Sequence, residues 1–144
     1  MVSLRNSILN SYSSLAQNLR DQDIDRRGQA IPMKLVISET EDAYGHREIT
    51  MSDPESIPLL INWEAYRILL EFSDASSEET VPLTALAKIK DDIPIGSVAT
   101  IDMQVNTDGV IQTKDFVVSK NEILANIKPH SRRLTLVPDR GARY

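Results

Sequence analysis

The side chains that come closest to a recognised chemical pattern are oxygen donors in the stretch IDMQVNTDGVIQTKDFVV, residues 101–118. A calcium-binding EF-hand loop takes ligands from positions one, three, five and twelve, with glycine at position six. Those positions hold Gln104, Asn106, Asp108, Asp115 and, as the glycine, Gly109. Position one is Gln instead of Asp, and both flanks alternate between apolar and polar residues, as strands do. The pattern therefore favours a β-hairpin over a calcium site.

The hairpin interpretation also predicts which residues face each other. A type I turn followed by a left-handed glycine makes a three-residue loop with a bulge, and residues 106–109 suit that turn. The resulting register pairs Val105 with Ile111 and Ala99 with Val117, which keeps apolar side chains on one face of the hairpin.

A second group of carboxylates lies in the stretch DQDID, where Asp21, Asp23 and Asp25 alternate. An extended chain would bring these oxygens together around a cation. Arg26 and Arg27 follow directly and already neutralise much of that charge. We therefore interpret the stretch as the solvated end of a helix.

The sequence lacks the residues and motifs that most catalytic and cofactor-binding sites require. Without cysteine there is no disulfide, thiolate metal site or cysteine nucleophile. The two histidines, His46 and His130, lie in separate polar connections and are predicted to be surface residues. No P-loop, G-x-G-x-x-G, G-x-S-x-G or H-E-x-x-H pattern occurs. We predict a protein that is not an enzyme and has no catalytic residues, metal or cofactor.

The charge is distributed unevenly along the chain. Residues 28–127 carry seven basic and seventeen acidic side chains, whereas residues 128–144 carry five basic and one acidic. An acidic body repels phosphate, so nucleic-acid binding through it is not expected. No apolar run approaches the roughly 20 residues of a membrane-spanning helix, and no membrane partner is expected. The basic end is a candidate for contact with an acidic protein surface.

The first segment has the pattern of a helix. Residues 3–20 place apolar side chains at spacings of three and four, and polar residues fill the rest. The helix is predicted to stop in the charged stretch before Gly28. The stripe is narrow and resembles a coiled-coil seam, so such a helix needs a partner for stability. The partner is either the β domain of the same chain or the same helix in other subunits, and we favour the second.

From Ile31 onward the apolar period changes to two, which predicts strands. The segments IPMKLVIS and REITMS are predicted to pair as a hairpin, with Met33, Leu35 and Ile37 on one face. Residues 57–65 are compatible with either a helix or a strand. Residues 66–72 are predicted to be a strand, and residues 82–92 a helical turn or an edge strand.

The last third of the chain carries one further helix signal. Ser119 and Glu122 have capping-box spacing, and Lys128 and Pro129 close a predicted helix. RRLTLVP makes a final short strand. The predicted fold class is α+β, mainly β: an N-terminal amphipathic helix, then a small antiparallel β-barrel or sandwich with one or two short helices. We divide the chain into a helix and charged connection (1–28), a β-rich domain (29–137) and a basic tail (138–144).

These features predict a non-enzymatic structural component of a large protein assembly that binds other subunits, of the same chain or of another. We place it in the virion of a tailed bacteriophage, as a neck, tail or baseplate protein made in the host cytoplasm; outside a virion the chain would be cytoplasmic. The alternative is a small regulatory β-barrel module in which Arg26 and Arg27 contact an anionic ligand. The predicted interaction residues are the helix stripe and the basic end: Leu4, Ile8, Tyr12, Leu15, Leu19, Arg132, Arg133, Arg140, Arg143 and Tyr144.

Overall fold

The computed structural model describes residues 4–71, 81–104, 111–125 and 128–139, with side chains described from Leu15 onward except that of Gln104. A long helix, α1 (Leu4–Arg27), precedes eight strands and a second helix. The remaining elements follow in chain order: β1 (Gln29–Lys34), β2 (Val36–Glu41), β3 (Arg47–Met51), β4 (Glu55–Ile61), α2 (Trp63–Glu71), β5 (Leu83–Lys88), β6 (Val98–Gln104), β7 (Ile111–Ala125) and β8 (Pro129–Pro138). The predicted fold class is confirmed.

Six of the strands close an antiparallel barrel in the order β1-β4-β5-β8-β7-β6. The barrel closes because β1 pairs with β4 along most of its length and with β6 at its end, where Met33 lies opposite Ala99. Alternate residues of every barrel strand point inward, and β5 shows this most regularly, with each second residue buried. The core is aliphatic apart from Phe116, the largest fully buried side chain of the described residues.

The hairpin predicted for IPMKLVIS and REITMS forms, but only the second half of IPMKLVIS takes part in it. β1 lies in the barrel, whereas β2 and β3 make a separate two-stranded ribbon. The chain leaves the barrel at Leu35, whose N–H donates to the Ser52 hydroxyl over 2.9 Å. The predicted shared face is therefore wrong, since Met33 is buried in the barrel and Ile37 is exposed on the ribbon.

Residues 57–71 resolve into a strand followed by a helix. β4 ends at Ile61 and α2 begins at Trp63, so the strand predicted for residues 66–72 is wrong over its described part. Asn62 caps the helix, because its side-chain oxygen accepts the N–H of Ala65 over 3.1 Å. The apolar run of α2 fits both the strand period and the helix period, and the Asn62 cap favours the helix.

β5 is a strand, one of the two structures predicted for residues 82–92, but it lies inside the sheet between β4 and β8 instead of at an edge. Pro82 precedes the first paired residue, so its missing N–H removes no hydrogen bond from the sheet. The final strand is confirmed and is longer than predicted, since β8 runs over ten residues.

The helix predicted from Ser119 onward is wrong. β7 continues as a strand for fifteen residues and pairs with β8 to Ala125. A register shift between Val118 and Lys120 lets the long strand bend, and the Ser119 hydroxyl donates to the Thr135 carbonyl over 3.1 Å instead of capping a helix. The capping-box spacing is real, but pairing with β8 along the whole segment outweighs it.

The hairpin of β6 and β7 is confirmed, and its predicted register is off by one residue. Ala99 lies opposite Phe116 and Gln104 lies opposite Ile111. This register puts Ala99 beside the bulky ring of Phe116 inside the barrel, where small and large side chains complement each other. The predicted turn at residues 106–109 and the pairing of Val105 lie outside the described residues.

Candidate functional site

The long helix is fixed to the barrel by its C-terminal end. Ile24 is the one fully buried side chain among the described side chains of α1, at 1% exposure. The Gly28 N–H closes the helix on the Ile24 carbonyl over 2.9 Å. A Cβ on Gly28 would lie within 2.8 Å of the Leu59 carbonyl oxygen, so glycine permits the close approach of the helix end to β4.

An ion pair strengthens this attachment. The Lys88 ammonium of β5 contacts the Asp25 carboxylate over 2.5 Å, and the Lys88 side chain is only 12% exposed. The hydrogen bond that the Lys88 ammonium donates to Asp25 raises the pKa of Lys88. One helical turn earlier, burial raises the pKa of Asp21, and the nearby carboxylates of Asp25 and Asp91 raise it further. One carboxylate oxygen of Asp21 is buried without a hydrogen-bond partner.

The two aspartates should therefore respond in opposite ways to removal of their charge. We expect Asp21→Asn to raise the melting temperature at neutral pH, because the carboxylate of Asp21 is penalised only in the folded chain. The carboxyl pKa of Asp21 is higher in the folded chain than in the unfolded chain. Asp21 therefore contributes stability that is fully present below its unfolded pKa and is lost as the pH rises through its folded pKa. The gain should shrink in acid, where Asp21 is already protonated.

Asp25→Asn is the matched control for that measurement. It leaves the Lys88 charge largely buried without its closest partner, so the melting temperature should fall. Because the pKa of Lys88 is raised on folding, Lys88 stabilises the folded chain at every pH below its unfolded pKa. This stabilisation disappears only in strong alkali. Thermal unfolding of both variants across the acidic and neutral range tests the pair, and a fall for Asp21→Asn at neutral pH would contradict the burial argument.

Two leucines of the predicted apolar stripe remain exposed on α1. Leu15 and Leu19 are 54% and 57% exposed. Successive helical residues are about 100° apart, so Ile24 is turned by roughly 140° from Leu19 and roughly 180° from Leu15. Leu19 also lines a cavity with His130 of β8, so it lies on the flank of the helix beside the barrel, while Leu15 is turned farther from the packed side.

The other predicted interaction residues fall into two groups. Leu4, Ile8 and Tyr12 belong to α1, but their side chains lie outside the described part of the chain, as do Arg140, Arg143 and Tyr144 entirely. Arg132 and Arg133 lie within β8. Arg132 donates to the Ile89 carbonyl over 2.9 Å, and Arg133 pairs with Glu122 over 3.0 Å.

The ribbon of β2 and β3 is a second exposed element. Every residue from 37 to 50 is exposed, on both faces of the ribbon. Its turn is ordered by Asp42, whose side chain accepts the backbone N–H groups of Tyr44 and His46, each over 2.9 Å. The hydrogen bond from the His46 backbone is the main cause that lowers the pKa of Asp42. Four carboxylates and one arginine make the ribbon acidic: Glu39, Glu41, Asp42, Glu48 and Arg47.

A cavity of about 560 Å³ lies outside the barrel, between the end of α1, the start of α2 and the far end of the β7–β8 hairpin. Its lining includes Arg27, Arg133 and Trp63. These residues come from α1, β8 and α2, which are distant in sequence. Arg27 is one of the two arginines expected to contact an anion; Arg26 is exposed and does not line the cavity.

Comparison of the chain with protein families, curated proteins and solved structures finds no match. Function must therefore be argued from the geometry. Among the described residues, no three acidic, histidine or cysteine side chains are grouped as metal ligands. No helix in the described ranges has the length and apolar character needed to cross a membrane.

One polar residue differs from its predicted environment. His130 was expected at the surface, but it is buried at the start of β8, where its ring nitrogen lies 2.9 Å from the Ser131 hydroxyl. His46 is exposed, as predicted. No pattern in the sequence indicates the cavity, because its residues come together only when α1 and α2 both pack on the barrel.

Proposed function

We propose that the chain is a non-enzymatic structural component of a large protein assembly and that it binds neighbouring subunits through the exposed face of α1. The supporting observation is that Leu15 and Leu19 remain more than half exposed although α1 is attached to the barrel. A helix attached through its own apolar stripe would hide those leucines. This helix is attached through Ile24 and the Asp25–Lys88 ion pair instead.

The length of α1 suits such a role. Its 24 residues extend for about 36 Å, at roughly 1.5 Å per residue. A narrow apolar stripe on a long helix is suited to packing against one or more helices in a bundle, because residues three and four apart form a continuous ridge.

The ribbon is less suited to be the main contact. Ile37 and Ile49 are also exposed, but carboxylates surround them and Arg47 pairs with Glu39 over 3.1 Å. Charged side chains on a free strand edge oppose pairing with another strand. The ribbon exposes two large aliphatic side chains, as α1 does, but in a different charge environment, so it provides a control surface for α1.

Within this class we propose a virion protein of a tailed bacteriophage, placed in the neck, tail or baseplate. The acidic body and the basic end of the sequence support contacts between unlike surfaces of adjacent subunits. The proposal for the whole chain does not depend on this setting, since any large assembly offers the same contacts.

Sedimentation of the full chain tests the proposal in two settings. Purified protein should show a mass above that of the monomer that rises with concentration, and in the cells that produce it the chain should sediment with particles. A monomer at every concentration that also stays in the light fraction of those cells would contradict the proposal.

A further inference from the structure

The cavity between α1, α2 and the β7–β8 hairpin combines an apolar floor with a charged rim. Leu60 and Leu86 of neighbouring strands line it on the outer surface of the barrel, and Leu124 lines it from the end of β7. A volume of about 560 Å³ falls in the range typical of sites for small organic molecules. The floor can therefore bury an apolar ring.

Arg27 and Arg133 supply positive charge to the rim. Glu64 is the one acidic side chain in the described lining, so the two guanidinium groups outnumber it. Arg27 is held by Asp23 over 3.4 Å, and Arg133 by Glu122 over 3.0 Å. Both pairs are solvent-exposed, and exposed ion pairs contribute little stability, so an anion can compete for the free N–H groups of either guanidinium.

The polar residues at the start of α2 complete the rim. The Trp63 indole N–H donates to the Gln29 side chain over 3.3 Å, and its ring stands edge-on to Tyr66 with centroids 6.2 Å apart. These contacts hold the indole in place beside the cavity. Asn62 and Thr84 add hydrogen-bonding groups on the same side.

We propose that this cavity binds a small phosphate ester that carries an apolar ring. The phosphate lies against Arg27 and Arg133, because planar guanidinium groups match phosphate oxygens in pairs. The ring rests on Leu60, Leu86 and Leu124. Two guanidinium groups lie at one rim, so an anion that displaces the exposed carboxylates of Asp23 and Glu122 can bind both. This inference is independent of assembly through α1.

Trp63 is the single tryptophan of the chain and lines the cavity, so its fluorescence reports on the site. The full chain is titrated with phenyl phosphate, with inorganic phosphate to supply the charge alone, and with phenol to supply the ring alone. We expect a saturable change with phenyl phosphate, and dissociation constants about tenfold or more higher for the other two probes. Equal binding of inorganic phosphate and phenyl phosphate would overturn the role of the apolar floor.

Substitutions of neighbouring arginines distinguish binding in the cavity from nonspecific attraction of the anion by surface charge. Arg27→Gln and Arg133→Gln should each raise the dissociation constant of phenyl phosphate about tenfold. Arg26→Gln, next in sequence but outside the lining, should leave it unchanged. All three arginines are exposed, so the variants should fold, and their melting curves check this. An equal effect of Arg26→Gln and Arg27→Gln, or no saturable change with the unmodified chain, would overturn the proposal.

Discussion

Replacing Leu15 and Leu19 together by glutamine is expected to weaken subunit association by roughly 30- to 150-fold. Each leucine is slightly more than half exposed. Burying the exposed halves in an interface contributes about 1–1.5 kcal/mol per residue, or about 2–3 kcal/mol for the pair. Sedimentation equilibrium of the variant and the unmodified chain measures the difference directly. A bundle in which several copies meet would show a larger loss.

The same variant should fold normally. Leu15 and Leu19 lie away from Ile24, which fixes α1 to the barrel, so the free energy of unfolding of the monomer should change by no more than about 0.5 kcal/mol. Loss of association together with a large drop in melting temperature would mean that the leucines support the fold, which contradicts their assignment to an outer face.

The ribbon provides a matched control for this experiment. Ile37→Gln with Ile49→Gln changes the same number of large aliphatic side chains, at exposures of 65% and 52%. We expect this variant to associate as the unmodified chain does. If both double variants lose association to the same extent, general surface hydrophobicity drives it, and the specific role proposed for α1 is wrong.

Phe116→Ala is expected to lower the free energy of unfolding by about 3–5 kcal/mol. Phe116 is 1% exposed and lies opposite Ala99 across the β6–β7 pair. Removing its ring leaves a cavity that the closed barrel cannot collapse to fill, because Phe116 and Val117 are the part of β7 that pairs with β6 on one side and β8 on the other. Denaturant unfolding measures the loss, which is a large part of the stability of an ordinary domain.

Ile123→Ala on the same strand is the control for Phe116→Ala. Ile123 is 54% exposed, so its truncation should change the free energy of unfolding by no more than about 0.5 kcal/mol. Similar losses for the two variants would show that β7 is stabilised mainly by its backbone pairing and that the ring of Phe116 does not anchor the core.

Local patterns in the sequence predicted much of the barrel. The change from a helical period to a period of two at Ile31 marks the boundary between α1 and β1 closely. Alternation predicted the β6–β7 hairpin and β8, because one face of each strand is buried in the core and the other is not. The predicted register of that hairpin was off by one residue, because turn geometry alone carries no information on how Phe116 packs against Ala99.

Two segments were assigned the wrong structure for the same reason. α2 has an apolar run that fits both periods, and β7 carries a genuine capping-box spacing at Ser119 and Glu122. In each case the local signal was ambiguous or weak, and contacts with a distant part of the chain decided the outcome. β7 pairs with β8 along its second half. α2 packs beside β5, with Trp63 and Tyr66 partly buried against the core.

The sequence by itself determined a mainly β domain behind a long helix, with an apolar stripe on that helix, because periodicity and charge are properties of neighbouring residues. Only the tertiary structure decided that Leu15 and Leu19 stay more than half exposed, since α1 is attached to the barrel through Ile24 and the Asp25–Lys88 pair. The cavity also belongs to the tertiary structure alone. Arg27 and Arg133 are 106 positions apart by the chain numbering, and barrel closure brings them to one rim.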